Sequence, residues 1–395
     1  MKLPLKGVKV LDLSAFLSGP LATGTLADQG ADVIKIEALS GDGTRRIGPA
    51  KGDMTAMFIA TNRGKRSVAV DLKHAAGREA VIEIARRADV LVENMRPGVL
   101  GRLGLGYGAL SSINPGLIYL SITGFGQDGP DAATKAYDGV IQATSGVSAA
   151  HRDPRTGEPT VLSTAVCDKL TALTASQAIC AALFARERSG KGSHVRLAML
   201  DAAVAFQWPD AMYNHVFLDD PPESGPPFGA TLKPWRARDG FFVTNTPQRE
   251  EFAALCKGLG RPELADDPRF ATVTGRFVNA QAMREALEPA AANADLDPLV
   301  RRLRAAGAPV GAVNELDDVI DDPQVVHNRT LAVIDQGAIG RVRLPRGPAH
   351  FAPGEPSVPG PAPRLGEHTR EVLRELGYDD ARIDALARQG AVIDG

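Results

Sequence analysis

From residue 8 onward, short runs of alternating apolar and polar residues take turns with longer stretches that carry their apolar residues at helical spacing. Val8 to Leu13 alternates, Leu21 to Asp28 reads as a helix, and Ala31 to Glu37 (ADVIKIE) alternates again. Pro20 suits the first turn of that helix and Gly30 its end. The rhythm repeats, with a helix over Gly77–Arg87 and strands over Asp89–Glu93 (DVLVE) and Leu117–Ile122 (LIYLSI). Strands that alternate with helices predict an α/β fold around a largely parallel, doubly wound sheet. A long helical stretch over Lys169–Arg188, a strand from His194 and a helix from Leu200 extend the same pattern.

The pattern then changes. Asp219 to Pro227 (DDPPESGPP) is rich in proline and acidic residues and reads as a linker. A strand over Gly240–Asn245 and helices around Gln248–Lys257, Asn279–Leu287 and Asp297–Ala306 predict a smaller mixed domain. A second Pro/Gly-rich stretch, Pro353–Pro363, precedes two short helices. The expected division is residues 1–218 as the first part of a large domain, 219–330 as a small domain with its linkers, and 331–395 returning to the large domain. A length of 395 residues fits more than one structural unit.

With 44% hydrophobic and 23% charged residues the chain has the composition of a globular protein. A net charge of −2 and the lack of a dense Lys/Arg block argue against nucleic acid or an anionic membrane as partner. No run approaches the roughly 20 apolar residues of a membrane span, and the start, MKLPLKGVKVLDLS, has no leader pattern. Cys167, Cys180 and Cys256 fit neither a disulfide framework nor a zinc site. The expected location is the cytoplasm.

Several chemistries lack their motifs. The turn Ser14-Ala-Phe-Leu-Ser-Gly19-Pro20 has no G-x-G-x-x-G to bring backbone against a pyrophosphate, which argues against a dehydrogenase. Gly41-Asp-Gly-Thr44 is not followed by G-K-[ST] and reads as a surface turn. The seven histidines form no HExxH pair, and no G-x-S-x-G elbow occurs. No bound metal and no permanently bound cofactor is expected.

Ordered segments from residue 7 to 378 carry a family likeness: GVKVLDLS with SGP (Gly7–Pro20), LADQGADVIKIE (Leu26–Glu37), NRGKRSVAVDLK (Asn62–Lys73), ADVLVENMRPGVLGRLGLGY (Ala88–Tyr107), SITGFGQDGP (Ser121–Pro130), GKGSHVRLAMLDA (Gly190–Ala202), DDPRF (Asp266–Phe270) and LGEHTREVLRELGY (Leu365–Tyr378). Together they resemble the class III CoA-transferases, a family that includes formyl-CoA transferase, carnitine CoA-transferase and the α-methylacyl-CoA racemases. The resemblance implies a large domain of Rossmann-like topology built from both chain ends, with a smaller α+β domain inserted. It implies an interlocked homodimer, coenzyme A as co-substrate, an acyl-CoA donor and a carboxylic acid acceptor.

The resemblance places the nucleophilic aspartate at Asp168 and CoA contacts at Asn94, Arg102, Leu103, Lys135 and Tyr137. A carboxylate nucleophile splits CoA exchange between two acids into easier steps. Taken alone, Asp168 reads first as an N-cap, since it precedes a long apolar helix; the two roles are compatible, because a helix N-terminus favours an anion. Arg63, Lys65 and Arg66 form a basic cluster that could reach phosphate or simply face solvent. In the racemases a His precedes an Asp where this chain has Tyr137-Asp138, and tyrosine is a weak base near neutrality. That favours transfer over an α-methylacyl-CoA racemase-type isomerisation, with a non-catalytic acyl-CoA-binding protein as a further alternative. Leu17 stands where formyl-CoA transferase has Gln, and its run of glycines followed by Gln is absent from residues 220–260. The expected acid is therefore not formate or oxalate but a small dicarboxylate such as succinate.

Overall fold

The computed structural model describes residues 3–153, 155–225, 229, 233–351 and 357–395. The two proline-rich stretches run into residues 226–227 and 353–356, which lie outside the described residues. Packing divides the chain into two compact units, one running to Phe206 and resuming at Val326, the other spanning Gln207–Val325.

The larger unit is built on a seven-stranded sheet. Its strands are β1 (Lys9–Asp12), β2 (Asp32–Glu37), β3 (Arg66–Val70), β4 (Val90–Glu93), β5 (Ile118–Thr123), β6 (Ser193–Ala198) and β7 (Val392–Ile393). They lie in the order β7-β3-β2-β1-β4-β5-β6, all parallel except β7, which pairs antiparallel with β3. The strand order reverses between β2 and β4 on either side of β1, which makes the carboxyl end of β1 the switch point where such sheets open a crevice.

Both faces of the sheet are covered, as a parallel sheet requires. Alternate side chains go to opposite cores. Leu11, Leu91 and Tyr119 join Val81, Ile84 and Leu373 on one face. Val10, Val92 and Leu120 join the helices α1 (Ser18–Asp28) and α3 (Val166–Ser189) on the other, through Ala22, Leu26, Ala175 and Ile179. Between them in sequence lies α2 (Asp138–Thr144), whose Ile141 packs into the same core.

Two of the seven strands were not anticipated, β3 and β7. Arg66-Ser-Val-Ala-Val begins with a charged and a polar residue, and β7 has only two residues, too few to show a period. Nor is Gly41–Thr44 a surface turn. Asp42 and Thr44 are buried, and Asp42 accepts hydrogen bonds from the Thr44 N–H and Oγ1, both at 2.8 Å.

Beneath the β1–α1 turn lies a knot of buried charge. Asp12, wholly buried, accepts hydrogen bonds from Lys65 Nζ at 2.9 Å, Thr23 Oγ1 at 2.7 Å, the Ser14 N–H at 2.9 Å and the Ser14 hydroxyl. Lys35 Nζ donates to the Ser14 carbonyl at 2.9 Å and pairs with Asp42 at 3.0 Å. Burial alone would push the Asp12 carboxyl up, yet Lys65, Lys35 and the hydroxyls outweigh it and hold the group well below its ordinary range. The same burial pushes Lys65 down to about 8 against the pull of Asp12. Gly19 completes the turn: a Cβ there would lie 2.2 Å from Ser14 Cβ, so only glycine lets α1 start this close to β1.

The smaller unit pairs three antiparallel strands, Val310–Ala312, Phe241–Thr244 and Trp235–Arg236. Helices Arg249–Gly258, Ala280–Ala292 and Leu296–Ala306 share its core with them through Phe252, Leu287, Leu299 and Phe242.

Lys65→Met leaves the Asp12 carboxylate buried beside one cation instead of two. We expect a loss of about 3–5 kcal/mol in a denaturant titration; a variant within half a kcal/mol of the parent would mean the pair carries no stability.

Candidate active site

At the switch point the chain encloses a cavity of about 840 Å³, a size that suits a cofactor-like ligand. Its wall comes from three strand ends and the turns that leave them: Leu13 to Ser18 after β1, Asn94 to Pro97 after β4, and Ile122 to Gly124 at the end of β5. Residues 132–137 and the head of α3 close the far side. All of this lies within the larger unit.

Asp168 lines the cavity, half-buried, as the third residue of α3. It does not cap its own helix. Ala165 occupies the N-cap position, and no side chain caps there. Across from Asp168, the backbone N–H and the hydroxyl of Ser18, the first residue of α1, face its carboxylate and favour the anion. α1 has no side-chain cap of its own, and the partial positive charge of its N-terminus favours an anion at this position. From behind, the Asp168 N–H donates to Asp138 Oδ1 at 2.9 Å.

Two influences oppose the Ser18 donors. Burial, then the charge of Asp138, raise the Asp168 carboxyl to about 6. The group is ionised at neutral pH yet more basic than an ordinary carboxylate, the condition of a usable oxygen nucleophile. Cys167 is no rival: burial and the two neighbouring aspartates push its thiol up to about 12, so it stays protonated.

The cavity also gathers Asn94, Arg102, Lys135 and Tyr137. Asn94 turns out to be committed to backbone. Its Oδ1 accepts from the Ala15 N–H at 2.8 Å and its Nδ2 donates to the Ala15 carbonyl at 2.7 Å, so it fixes the turn that leads into α1. Arg102 and Lys135 are exposed at the rim, and neither pairs with a carboxylate among the described residues. Tyr137, 62% exposed, meets the Phe16 ring edge-to-face at 5.7 Å. Leu103 is the exception. It is absent from the cavity wall and packs against the core under the sheet.

The basic cluster at residues 63–66 is not free to meet phosphate. Arg63 pairs with Asp28, Lys65 with Asp12, and Arg66 with Asp32, Glu371 and Glu375. Their carboxylate partners lie far off in sequence, which is why the cluster looked available. Sequence reading in turn passed over Ser18, Phe16 and Arg96, and weighed Asp138 only with Tyr137 as the position of the racemases' His-Asp pair. Arg96 lines the cavity beside Arg102, in a turn where Gly98 at φ +78 lets the chain fold back on itself. Phe16 also sits in the left-handed region, at φ 65, rare for an aromatic residue. No spacing rule marks such residues, because a turn of non-repeating backbone brings them to the site.

A carboxylate near a helix head, an apolar wall and three cations at the rim together suit an acyl thioester with a phosphorylated tail. Among the described residues, no group of three or more His, Cys, Asp or Glu gathers as a metal site, and no helix is long and apolar enough to cross a membrane.

Comparison with known proteins gives the same direction. Residues 5–369 match the family model for CoA-transferase family III. The chain is 35% identical to succinyl-CoA:glutarate CoA-transferase of Mus musculus, with 98% of this chain and 90% of the relative covered. It is 37% identical to acetyl-CoA:oxalate CoA-transferase of Acetobacter aceti, over 96% and 97% of the two chains. A solved structure of a CAIB/BAIF family protein from Brucella suis superposes with a TM-score of 0.82 at 36% identity, covering 95% of this chain and all of the other. With the model match and full-length relatives beside the cavity geometry, the chain belongs to CoA-transferase family III and is a class III CoA-transferase.

Proposed function

We propose that the protein moves CoA from an acyl-CoA to a free carboxylic acid through covalent intermediates on Asp168. The observation that carries this is the place of the Asp168 carboxylate, lining the cavity opposite Ser18 with its pKa raised to about 6 by burial and Asp138. An Asp168 oxygen attacks the thioester carbonyl, the C–S bond breaks, and an acyl–aspartyl anhydride forms as CoA leaves as thiolate. The thiolate then attacks the aspartyl carbonyl, which releases the donor acid and leaves aspartyl-CoA. The acceptor carboxylate attacks that thioester and expels the thiolate again, giving a second anhydride. Attack of the thiolate on the acceptor's acyl carbonyl forms the new acyl-CoA and restores the Asp168 carboxylate. Each step exchanges one activated carbonyl for another, so the thioester energy is kept as long as water stays out.

In this reading Arg96, Arg102 and Lys135 meet the phosphates of CoA, and Tyr137 with Phe16 offers an aromatic wall. Asn94 acts through the Ala15 backbone, and Leu103 supports the fold. We propose a short dicarboxylate, succinate first, as donor acid, in line with the relative that acts on succinyl-CoA and glutarate. We further propose an interlocked homodimer, supported by the exposed Leu173 and Phe184 on α3, which a second copy would cover. A cytoplasmic setting agrees with the three free thiols.

Incubation with succinyl-CoA is expected to leave a CoA adduct on the peptide that contains Asp168, and Asp168→Ala to abolish both adduct and transfer. An Ala variant that transfers at the parent's rate would end the proposal. Because only the carboxylate attacks, kcat/KM should fall about tenfold per pH unit below about pH 6. A profile flat to pH 5 would contradict the assignment.

The same shift has a stability consequence of opposite sense. With its folded value raised from 3.8 to about 6, the ionised group is less at home in the folded chain than in the unfolded one. That penalty is complete above pH 6 and disappears as pH falls below 3.8. Asp168→Asn should therefore melt about 1–3 °C higher than the parent at pH 7.5, with the gap closing toward pH 4; a lower melting point at pH 7.5 would count against it. Arg102→Ala and Lys135→Ala should each raise KM for acyl-CoA about tenfold with little change in kcat. An unchanged KM in both would remove the phosphate assignment.

A further inference from the structure

The head of α3 has a feature that simple capping does not explain. The Asp168 N–H is one of the donors that a helix start leaves without an intrahelical partner, and Ala165 cannot supply one. Asp138 supplies it from α2, at 2.9 Å. The other Asp138 oxygen accepts from Gln142 Nε2 at 2.5 Å. Gln142, 1% exposed, in turn accepts from the Leu162 N–H at 2.9 Å and donates toward the Thr164 carbonyl at 3.2 Å. The segment leading into α3 is thus tied to α2 at successive points.

Asparagine or serine would meet the Asp168 N–H, though neither would offer the Gln142 amide the second acceptor that Asp138 Oδ2 provides. An aspartate here instead sets a second negative charge directly behind the nucleophile, which costs folding energy when both are ionised. No other described charge offsets it. The titratable neighbours on α3 itself are Cys167, which stays neutral, and Lys169, whose Nζ is held by Thr164 Oγ1 at 2.6 Å. From α1 comes only the uncharged Ser18, and Lys135 and Tyr137 lie along the cavity wall.

We infer that Asp138 is a positioning residue for the transfer: it grips the Asp168 backbone so that the carboxylate faces Ser18 and the cavity, and its charge favours the acylated form of Asp168. The inference rests on Asp168 as the nucleophile. Its logic is that acylation removes the Asp168 charge. Repulsion present in the resting enzyme is relieved in the anhydride and in aspartyl-CoA, so the covalent states gain relative to the free carboxylate. Asp138 forms no bond to substrate in the cycle.

The test compares Asp138→Asn, which keeps the shape and the acceptor for the Asp168 N–H but loses the charge and the acceptor for Gln142, with Asp138→Ala, which loses all of these. Melting temperature, kcat, KM for succinyl-CoA, the steady-state fraction of Asp168-linked adduct and the pH profile are read together. Asp138→Asn should fold as the parent does and keep its KM. Its adduct fraction and kcat should each drop about tenfold, and the acidic limb should move to lower pH by about a unit. Asp138→Ala should lose more kcat than Asp138→Asn; should it fail to fold, the asparagine variant alone decides. An asparagine variant with parental kcat, adduct fraction and acidic limb overturns the inference. Asp168→Ala separates the two failures. If that variant still transfers, the nucleophile itself is misassigned; if it is dead while Asp138→Asn matches the parent, only the role of Asp138 falls.

Discussion

The site depends on one carboxylate held against the uncapped start of a helix. Asp168 stands on α3, and its carboxylate faces the N–H and hydroxyl of Ser18 at the head of α1. The two helices meet on the same face of the sheet through small and branched side chains, Ala22 and Leu26 against Ala175 and Ile179. Where α1 begins is set by the turn after β1, and that turn is pinned from two sides. Asn94 holds Ala15 by both its backbone groups, and the buried Asp12–Lys65–Lys35 knot holds Ser14. A shift anywhere along this line would move Ser18 and change the surroundings of the Asp168 carboxylate.

The electrostatics of the arrangement form a balance. Burial and Asp138 push the Asp168 carboxyl toward neutrality, while the Ser18 donors pull it back toward the anion. A carboxylate tied more tightly would be a poor nucleophile, and one buried without donors would be protonated at neutral pH. The deeper knot at Asp12 sits at the other extreme, its carboxyl held far below the ordinary range by two lysines. One aspartate is locked as structure and the other kept reactive. Environment distinguishes them, since the residue type is the same.

Much of the larger unit was legible from its pattern. Strands β1, β2, β4 and β5 and helices α1 and α3 carry periods long enough to read, and ordered motifs along the chain pointed to the family. The resemblance singled out Asp168, but the expected N-cap of α3 falls elsewhere: the helix starts at Val166, Ala165 holds the cap position, and Asp168 is already its third residue. The residues that complete the site came from turns and from the start of a short helix. Phe16 at φ 65, Arg96 in the turn after β4 and Asp138 behind Asp168 owe their places to contacts between elements far apart in sequence. Arg63, Lys65 and Arg66 show the reverse error, a cluster that looks free in sequence because its carboxylates arrive only on folding.

Oxygen-isotope transfer tests the central claim most directly. The acceptor acid is supplied with ¹⁸O in its carboxylate, together with succinyl-CoA, and the peptide that contains Asp168 is weighed after turnover. When an acceptor oxygen bridges to the aspartyl carbonyl and the thiolate then takes the acceptor's acyl group, that oxygen stays on the enzyme. The account predicts one ¹⁸O in the Asp168 carboxylate, followed by its appearance in the released donor acid on the next cycle. Product thioester formed with no label entering the protein would contradict it.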